Sequence, residues 1–295
     1  FMKLGAHTML WLDCLGDADL SLLDRISAFG YDAVEVVVGE RPLCPRALAD
    51  RLGRLGLSAS VSCAIPPKRA PGSPDPASRH AALRFFRRCF ETAAAVGASN
   101  FVGPLYLSGL PVRPRTQAER QTEWRSAADT LREAARIASD YGVTLCIEPL
   151  NRYKTDLINT VRQGILMVDE IGLPNVKLLY DTYHATIEER SLTEAIGRMG
   201  TRYLGEIHLC ENDKGAPGTG HIDFPAVAAT LRQIGFDGFA VFESFPPFGK
   251  DNIWRQLAPD QDSLARAAAR YLRALFCPPK TELAEGKGTV KRAFV

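Results

Sequence analysis

The most constraining feature of this chain is a rhythm. Short apolar runs alternate with longer amphipathic stretches, and the alternation repeats eight times. The spacing predicts strands over Lys3–Met9, Ala33–Val38, Leu57–Ser62, Ser99–Gly103, Val143–Ile147, Val176–Tyr180, Tyr203–His208 and Phe239–Phe242. Between and after them it predicts helices near Asp19–Phe29, Pro45–Leu55, Arg79–Val96, Thr116–Tyr141, Thr160–Ile171, Ser191–Met199, Pro225–Ile234 and Asp262–Leu275. In the third helix Leu83, Phe86, Phe90, Ala93 and Ala94 recur at helical spacing, with Ser78 as the expected N-cap. Gly30, Gly56, Gly97, Gly142, Gly172 and Gly235 stand where helices should stop.

Strands that alternate with helices form a parallel sheet with right-handed crossovers. Eight such units in a 295-residue chain fit one (β/α)₈ barrel, for which ~250 residues is typical. The rival is an open doubly wound sheet, and no G-x-G-x-x-G follows the first strand to support it. The expected organisation is a barrel over residues 2–277 and a polar tail over 278–295.

Composition closes off other classes. Hydrophobic residues make up 46% and charged residues 24%, which is globular composition. Lys+Arg is 36 against 34 Asp+Glu, a net charge of +2. No nucleic-acid partner is expected, since such proteins carry a basic excess or stripe. No apolar run approaches the ~18 residues that a membrane span needs, so no membrane association is expected. The N-terminal residues lack a charged segment followed by a long apolar one, so no secretory signal is expected. The seven cysteines are scattered and form no C-x-x-C pair. Free thiols and a cytoplasmic location follow as expectations.

In a barrel the chemistry lies where the C-terminal ends of the strands meet the following loops. The fifth strand ends in CIEPLNR and presents Glu148. The sixth ends in LLYDTYH and presents Asp181. The seventh, GEIHLCEN, presents His208, and the eighth, AVFESF, presents Glu243. Singly, each would pass for a turn former or a satisfied polar group. Together, three carboxylates gathered on one rim repel one another and are costly to desolvate, unless a cation joins them. Three oxygens and one nitrogen, with no thiolate, suit Mn²⁺, Mg²⁺ or Co²⁺. Such an ion holds two adjacent oxygens of a hydroxy-ketone and acidifies the neighbouring C–H. A carboxylate then removes the proton to give an enediolate. Glu148 and Glu243 come from strands five and eight and can flank a bound substrate. Two bases on opposite faces give epimerisation; one base serving both carbons gives aldose–ketose isomerisation. The pattern alone leaves both open.

The segments IEPLNRYKTDLINT (147–160), YDTYHATIEE (180–189), IHLCENDKGAPGTGHIDF (207–224), FESFPPF (242–248) and DNIWRQL (251–257) carry a resemblance. The chain resembles the ketose 3-epimerases of the D-tagatose and D-psicose (allulose) type, within the xylose-isomerase-like sugar isomerase and epimerase TIM barrels. The resemblance spans about residues 3–275. It implies Glu148, Asp181, His208 and Glu243 as metal ligands, Glu148 and Glu243 as the acid/base pair, and Mn²⁺ as the ion, with Co²⁺ or Mg²⁺ as alternatives. The implied substrate is a free ketose inverted at C3, and the implied assembly is a homodimer or homotetramer. His184 matches a substrate-contacting histidine and Phe245 an apolar contact in the sugar pocket. Glu35, ending the second strand, is expected to line the pocket or to support a ligand. Two positions depart from the family: Lys154 stands where it has glutamate and Lys214 where it has arginine. Both are expected to meet substrate oxygens, and two lysines there would also suit an anionic sugar.

Three alternatives follow. One is an isomerase or epimerase of an oxidised, phosphorylated or glycoside-linked keto-sugar. A metal-dependent endonuclease on the same barrel would need more histidines than the five present and a basic surface. A catalytically silent sugar-binding protein would have little reason to keep both glutamates. The glycine-rich stretch 215–224 lacks the spacing of a phosphate loop and is expected to cover the sugar site.

Overall fold

The computed structural model describes residues 2–66, 68–107, 115–248 and 253–277. The expected tail at 278–295 lies outside the described residues, as do residues 251–252 of the last motif. Among the described residues there are eight strands: β1 (Lys3–His7), β2 (Ala33–Val38), β3 (Ser58–Cys63), β4 (Asn100–Gly103), β5 (Thr144–Ile147), β6 (Val176–Asp181), β7 (Leu204–His208) and β8 (Phe239–Phe242). They pair in sequence order, every pair parallel, and β8 closes onto β1 to complete the barrel.

Among the described residues the helices are α1 (Leu22–Ala28), α2 (Pro45–Leu55), α3 (Pro76–Ala95), α4 (Gln117–Asp140), α5 (Val161–Ile171), α6 (Thr182–Glu188), α7 (Leu192–Tyr203), α8 (Phe224–Gln233) and α9 (Gln261–Phe276). None is long and apolar enough to cross a membrane. Their ends are set by local chemistry. At α4 the Thr116 hydroxyl accepts from the Glu119 N–H, and the Glu119 carboxylate accepts from the Thr116 N–H. Thr160 and Gln163 close the same reciprocal cap on α5. Proline opens α2, and Gly56, at φ 66°, closes it in the left-handed region that disfavours a side chain.

The structure moves several expected boundaries. β1 stops at His7, and Thr8–Leu10 turns into a 3₁₀ segment instead of continuing to Met9. Residues Asp17–Asp19 form another 3₁₀ turn, so α1 starts at Leu22. Asp75, not Ser78, caps α3, its carboxylate accepting from the N–H groups of Ala77 and Ser78. The Ser78 hydroxyl instead accepts from the Ala70 N–H. α7 runs past Met199 to Tyr203 through a break at Gly200. α6 was not expected; it begins immediately after Asp181.

Most apolar side chains pack between the barrel and its helices. Phe101 on β4 meets Phe86 and Phe90 of α3 edge-on, each pair 5.2 Å apart between ring centres. Phe101 is fully buried. Phe101→Ala is expected to lower unfolding stability by ~3–5 kcal/mol, which urea denaturation measures. Close contact inside the barrel is just as strict. A Cβ at Gly205 would stand 2.5 Å from Cys146 Sγ and 3.1 Å from Lys177 Cβ, so only glycine fits that position on β7.

The barrel interior is unusually polar. Ser60 on β3 and Asn100 on β4 both donate to Glu206 on β7, at 2.8 and 2.9 Å. Those bonds cross the lumen and fix which strand positions point inward. Side chains alternate along a strand, so His208 points inward with Glu206. Register pairs Asp181 with His208, and His208 with Val241.

Candidate metal and catalytic site

Glu148, Asp181, His208 and Glu243 meet at the C-terminal mouth of the barrel. One ligand atom from each lies within 4.8 Å of all the others, and all four residues are buried. Asp181 ends β6 and also caps α6, its Oδ1 accepting from the N–H of Tyr183 at 2.6 Å and of His184 at 3.3 Å. That leaves Oδ2 facing the cluster.

The two nitrogens of His208 have different surroundings. Nε2 lies 2.7 Å from Glu35 Oε2 and donates its proton there. Nδ1 is buried without a hydrogen-bond partner and points between Glu243 Oε2, at 3.5 Å, and Asp181 Oδ2, at 3.8 Å. An orphaned imidazole nitrogen between carboxylates is a place where a divalent cation can replace a proton, and a carboxylate behind the imidazole is the usual means of fixing its orientation. The donor set and its burial therefore fit a hard or borderline divalent ion.

Glu35 does not reach the mouth. It is fully buried beneath His208 and His7. His7 Nε2 lies 2.9 Å from its Oε1, but out of line for a good hydrogen bond, so that oxygen keeps an unused acceptor. Burial opposes charge on Glu35, yet the two imidazoles hold its carboxyl well below the usual range. His7 escaped the sequence reading because the strand was drawn through it to Met9. It stands 3.8 Å from Glu243 and packs its ring against Phe245 and His208.

The acidic groups do not share one protonation preference. Burial, with the like charges of Glu243 and Asp181, pushes Glu148 well above the carboxylate range. Burial would raise Asp181 and Glu243 too, but the Lys214 ammonium and His208 hold both below it. Burial opposes charge on His208, and Glu35 and Glu243 raise it well above the imidazole range.

Glu206 was also missed, although it lies two residues before His208 on the same strand face. Burial and then the charge of Glu35 push it up to about 8. Ser60 and Asn100 donate to it, and it lies with Glu35 and His208 in a second buried group whose ligand atoms come within 4.8 Å of one another. Its folded value lies above the ordinary glutamate value, so the folded chain keeps this proton when the unfolded chain has released it. The stabilisation is complete below the unfolded value and disappears as pH rises toward 8. Glu206→Gln, which mimics the neutral acid, should remove that component. The difference in melting temperature between variant and wild type, followed from pH 5 to 8 in chelator, is therefore expected to grow in the variant's favour.

The expected substrate-facing residues divide. His184 is buried, and its Nδ1 accepts from the Asn151 N–H at 3.1 Å. Its proton is therefore on Nε2, which faces Glu148 Oε1 at 3.7 Å. Burial lowers its pKa to about 4, so it is a neutral donor at the mouth. Lys154 is half-buried on the turn that Asn151 opens, and its charge disfavours a charged His184. Phe245 is half-buried beside His7 and Lys214.

Lys214 goes deeper than expected. It is 4% exposed, and its Nζ donates to Asp181 Oδ2 at 2.6 Å and to Glu243 Oε2. Glu211 builds the loop that delivers it. The Glu211 N–H donates to the Gly215 carbonyl, the Lys214 N–H donates to the Glu211 carbonyl, and the Glu211 carboxylate accepts from the N–H groups of Gly218 and Ile222.

Comparison with known proteins gives this arrangement a context. A family model, xylose isomerase-like TIM barrel, matches residues 23–275. The ketose 3-epimerase of Arthrobacter globiformis is 31% identical, over 95% of this chain and 99% of the relative. The L-ribulose 3-epimerase of Methylomonas sp. (strain DH-1) is 30% identical, over 93% of this chain and 98% of the relative. The crystal structure of D-psicose 3-epimerase with D-tagatose from Clostridium cellulolyticum H10 superposes with a TM-score of 0.83 at 27% identity, covering 93% of this chain and 99% of that one.

Proposed function

The chain belongs to the xylose isomerase-like TIM-barrel family, and from that premise we propose that it is a metal-dependent ketose 3-epimerase acting on a free ketose. The observation that carries this reading is the orphaned Nδ1 of His208, set among three buried carboxylates at the barrel mouth. Glu148, Asp181, His208 and Glu243 would hold the metal. When bound, a divalent ion there polarises the ketone and lowers the pKa of the C3–H; Mn²⁺ suits the donor set, with Co²⁺ or Mg²⁺ as alternatives.

Glu148 and Glu243 approach from β5 and β8, which two other strands separate. Their environments push them apart: Glu148 toward the neutral acid, Glu243 toward the carboxylate. A polarised pair of this kind suits one group to accept a proton while the other supplies one. In one direction Glu243 removes the C3 proton and Glu148 returns one to the opposite face; the other epimer reverses the roles. His184 Nε2–H donates to a substrate oxygen. Phe245 covers the apolar side of the sugar, while Lys154 and Lys214 face its oxygens. Glu35 acts from beneath, by holding His208. A homodimer or homotetramer is proposed on the family resemblance, and a cytoplasmic location on the scattered cysteines.

The test is exchange in D₂O with Mg²⁺ or Mn²⁺, followed by NMR and chromatography over a panel of ketoses. Deuterium at C3 with inversion is expected. Deuterium at C1 or C2 with an aldose product would instead make the protein an aldose–ketose isomerase.

A further inference from the structure

Lys214 occupies an unusual place for a residue expected to touch substrate. Its ammonium is buried and bonded to the same two oxygens, Asp181 Oδ2 and Glu243 Oε2, that face the orphaned His208 nitrogen. Its backbone adopts φ 65°, a left-handed conformation in which a side chain is uncommon. Such a cost persists only where the surroundings enforce it. Here the turn at Glu211 enforces it. Lysine also suits this position better than arginine would. A compact ammonium fits between two carboxylates as a point charge, whereas a guanidinium needs a flat fork.

We infer that Lys214 is an internal counter-cation that competes with the divalent metal for the Asp181 and Glu243 carboxylates, and so sets how tightly the metal is held. The inference rests on the metal site proposed above. An ammonium and a divalent ion held on the same two buried oxygens repel each other. Metal entry therefore favours a conformer in which Nζ has left the carboxylates. The structure provides somewhere to go. Nζ already lies 4.9 Å from the Tyr183 ring centre and 5.3 Å from that of Phe245, an aromatic shelf that attracts a cation. Beyond it is a groove lined by Tyr183, Asn212, Asp213, Ile253 and Trp254. Displaced onto that shelf, Lys214 would stand at the mouth, where a substrate oxygen can meet it. One side chain would then hold the carboxylates together before the metal arrives and face substrate afterwards.

The experiment has two arms. Calorimetric Mn²⁺ titration compares wild type with Lys214→Met, Lys214→Gln and Lys154→Met, the last removing another positive charge that acts on His184. We expect the Lys214 variants to bind Mn²⁺ at least ~10-fold more tightly than wild type, in line with removal of a direct competitor, and Lys154→Met to change affinity less than ~3-fold. The second arm needs no variant. Reductive methylation of the wild type, read by peptide mass, should leave Lys214 protected without metal and label it with Mg²⁺. Equal effects of the Lys214 and Lys154 variants, or Lys214 labelling that Mg²⁺ does not change, would overturn the inference while leaving the metal site intact. No saturable Mn²⁺ binding by the wild type or by either Lys214 variant would overturn the metal site itself, and the inference with it.

Discussion

Glu148→Gln and Glu243→Gln each reduce C3–H exchange and epimer turnover by at least ~10³-fold, within the range that loss of a positioned acid or base produces. The physical reason is that neither residue has a substitute. His184 is a neutral donor, and in the proposed site His208 Nδ1 would be held by the cation, so neither would accept the C3 proton. Glutamine keeps the shape of each side chain but removes its charge together with its proton chemistry, so both variants are assayed at saturating metal. It also relieves like-charge crowding at Glu148, so melting temperature is expected to hold or rise. Exchange measured separately from turnover sharpens the result. If the two glutamates work on opposite faces, each variant loses inversion even where slow exchange survives on one face. Residual turnover above about a tenth of wild type in either variant would refute the two-carboxylate scheme.

The second large effect concerns the metal. Removing the ion by chelation, or His208→Ala, should abolish activity, and His208→Ala should cost more metal affinity than the ~10–100-fold that loss of an outer partner costs. Glu35→Gln supplies the calibration. Glu35 is fully buried beneath His208, where its carboxylate accepts from Nε2. Glutamine there can present its NH₂ to the imidazole and invite the other tautomer, which puts a proton where the lone pair should be. An intermediate loss of metal affinity is expected, ~10–100-fold, with turnover restored at saturating metal. Isothermal titration with Mn²⁺ separates the three cases. Wild-type affinity in Glu35→Gln would show that the tautomer does not depend on that carboxylate.

The contrast between these residues and Lys214 shows what a sequence can disclose. Glu148, Asp181, His208 and Glu243 were legible because each ends an apolar run, and a strand end in a (β/α)₈ barrel has a fixed destination. Glu206 carried a comparable signal, two residues before His208 on the same face, but nothing local distinguishes an inward acid from a pleat residue facing a helix. Its partners, Ser60 and Asn100, lie 146 and 106 residues away. His7 was hidden by a boundary: β1 ends on it, and Thr8 and Met9 after it read as more strand. The cap of α3 was misassigned for a similar reason. Asp75 and Ser78 both precede helical residues, and only the backbone shows that the helix starts at Pro76.

The sequence by itself determined the parallel barrel, the order of its strands and the four residues at its mouth. Those follow from local periodicity, because side chains alternate along a strand and a repeated strand–helix unit has few ways to bury its apolar faces. Tertiary structure alone decided which nitrogen of His208 is left for the cation, that Glu35 lies behind that histidine, and that Lys214 enters the cluster of carboxylates. Each of these depends on charges brought within hydrogen-bonding reach by closure of the ring. Glu35 and His208, 173 residues apart, meet at 2.7 Å. Inside a closed barrel, where water is excluded, such an encounter governs protonation more strongly than any residue's own chemistry does.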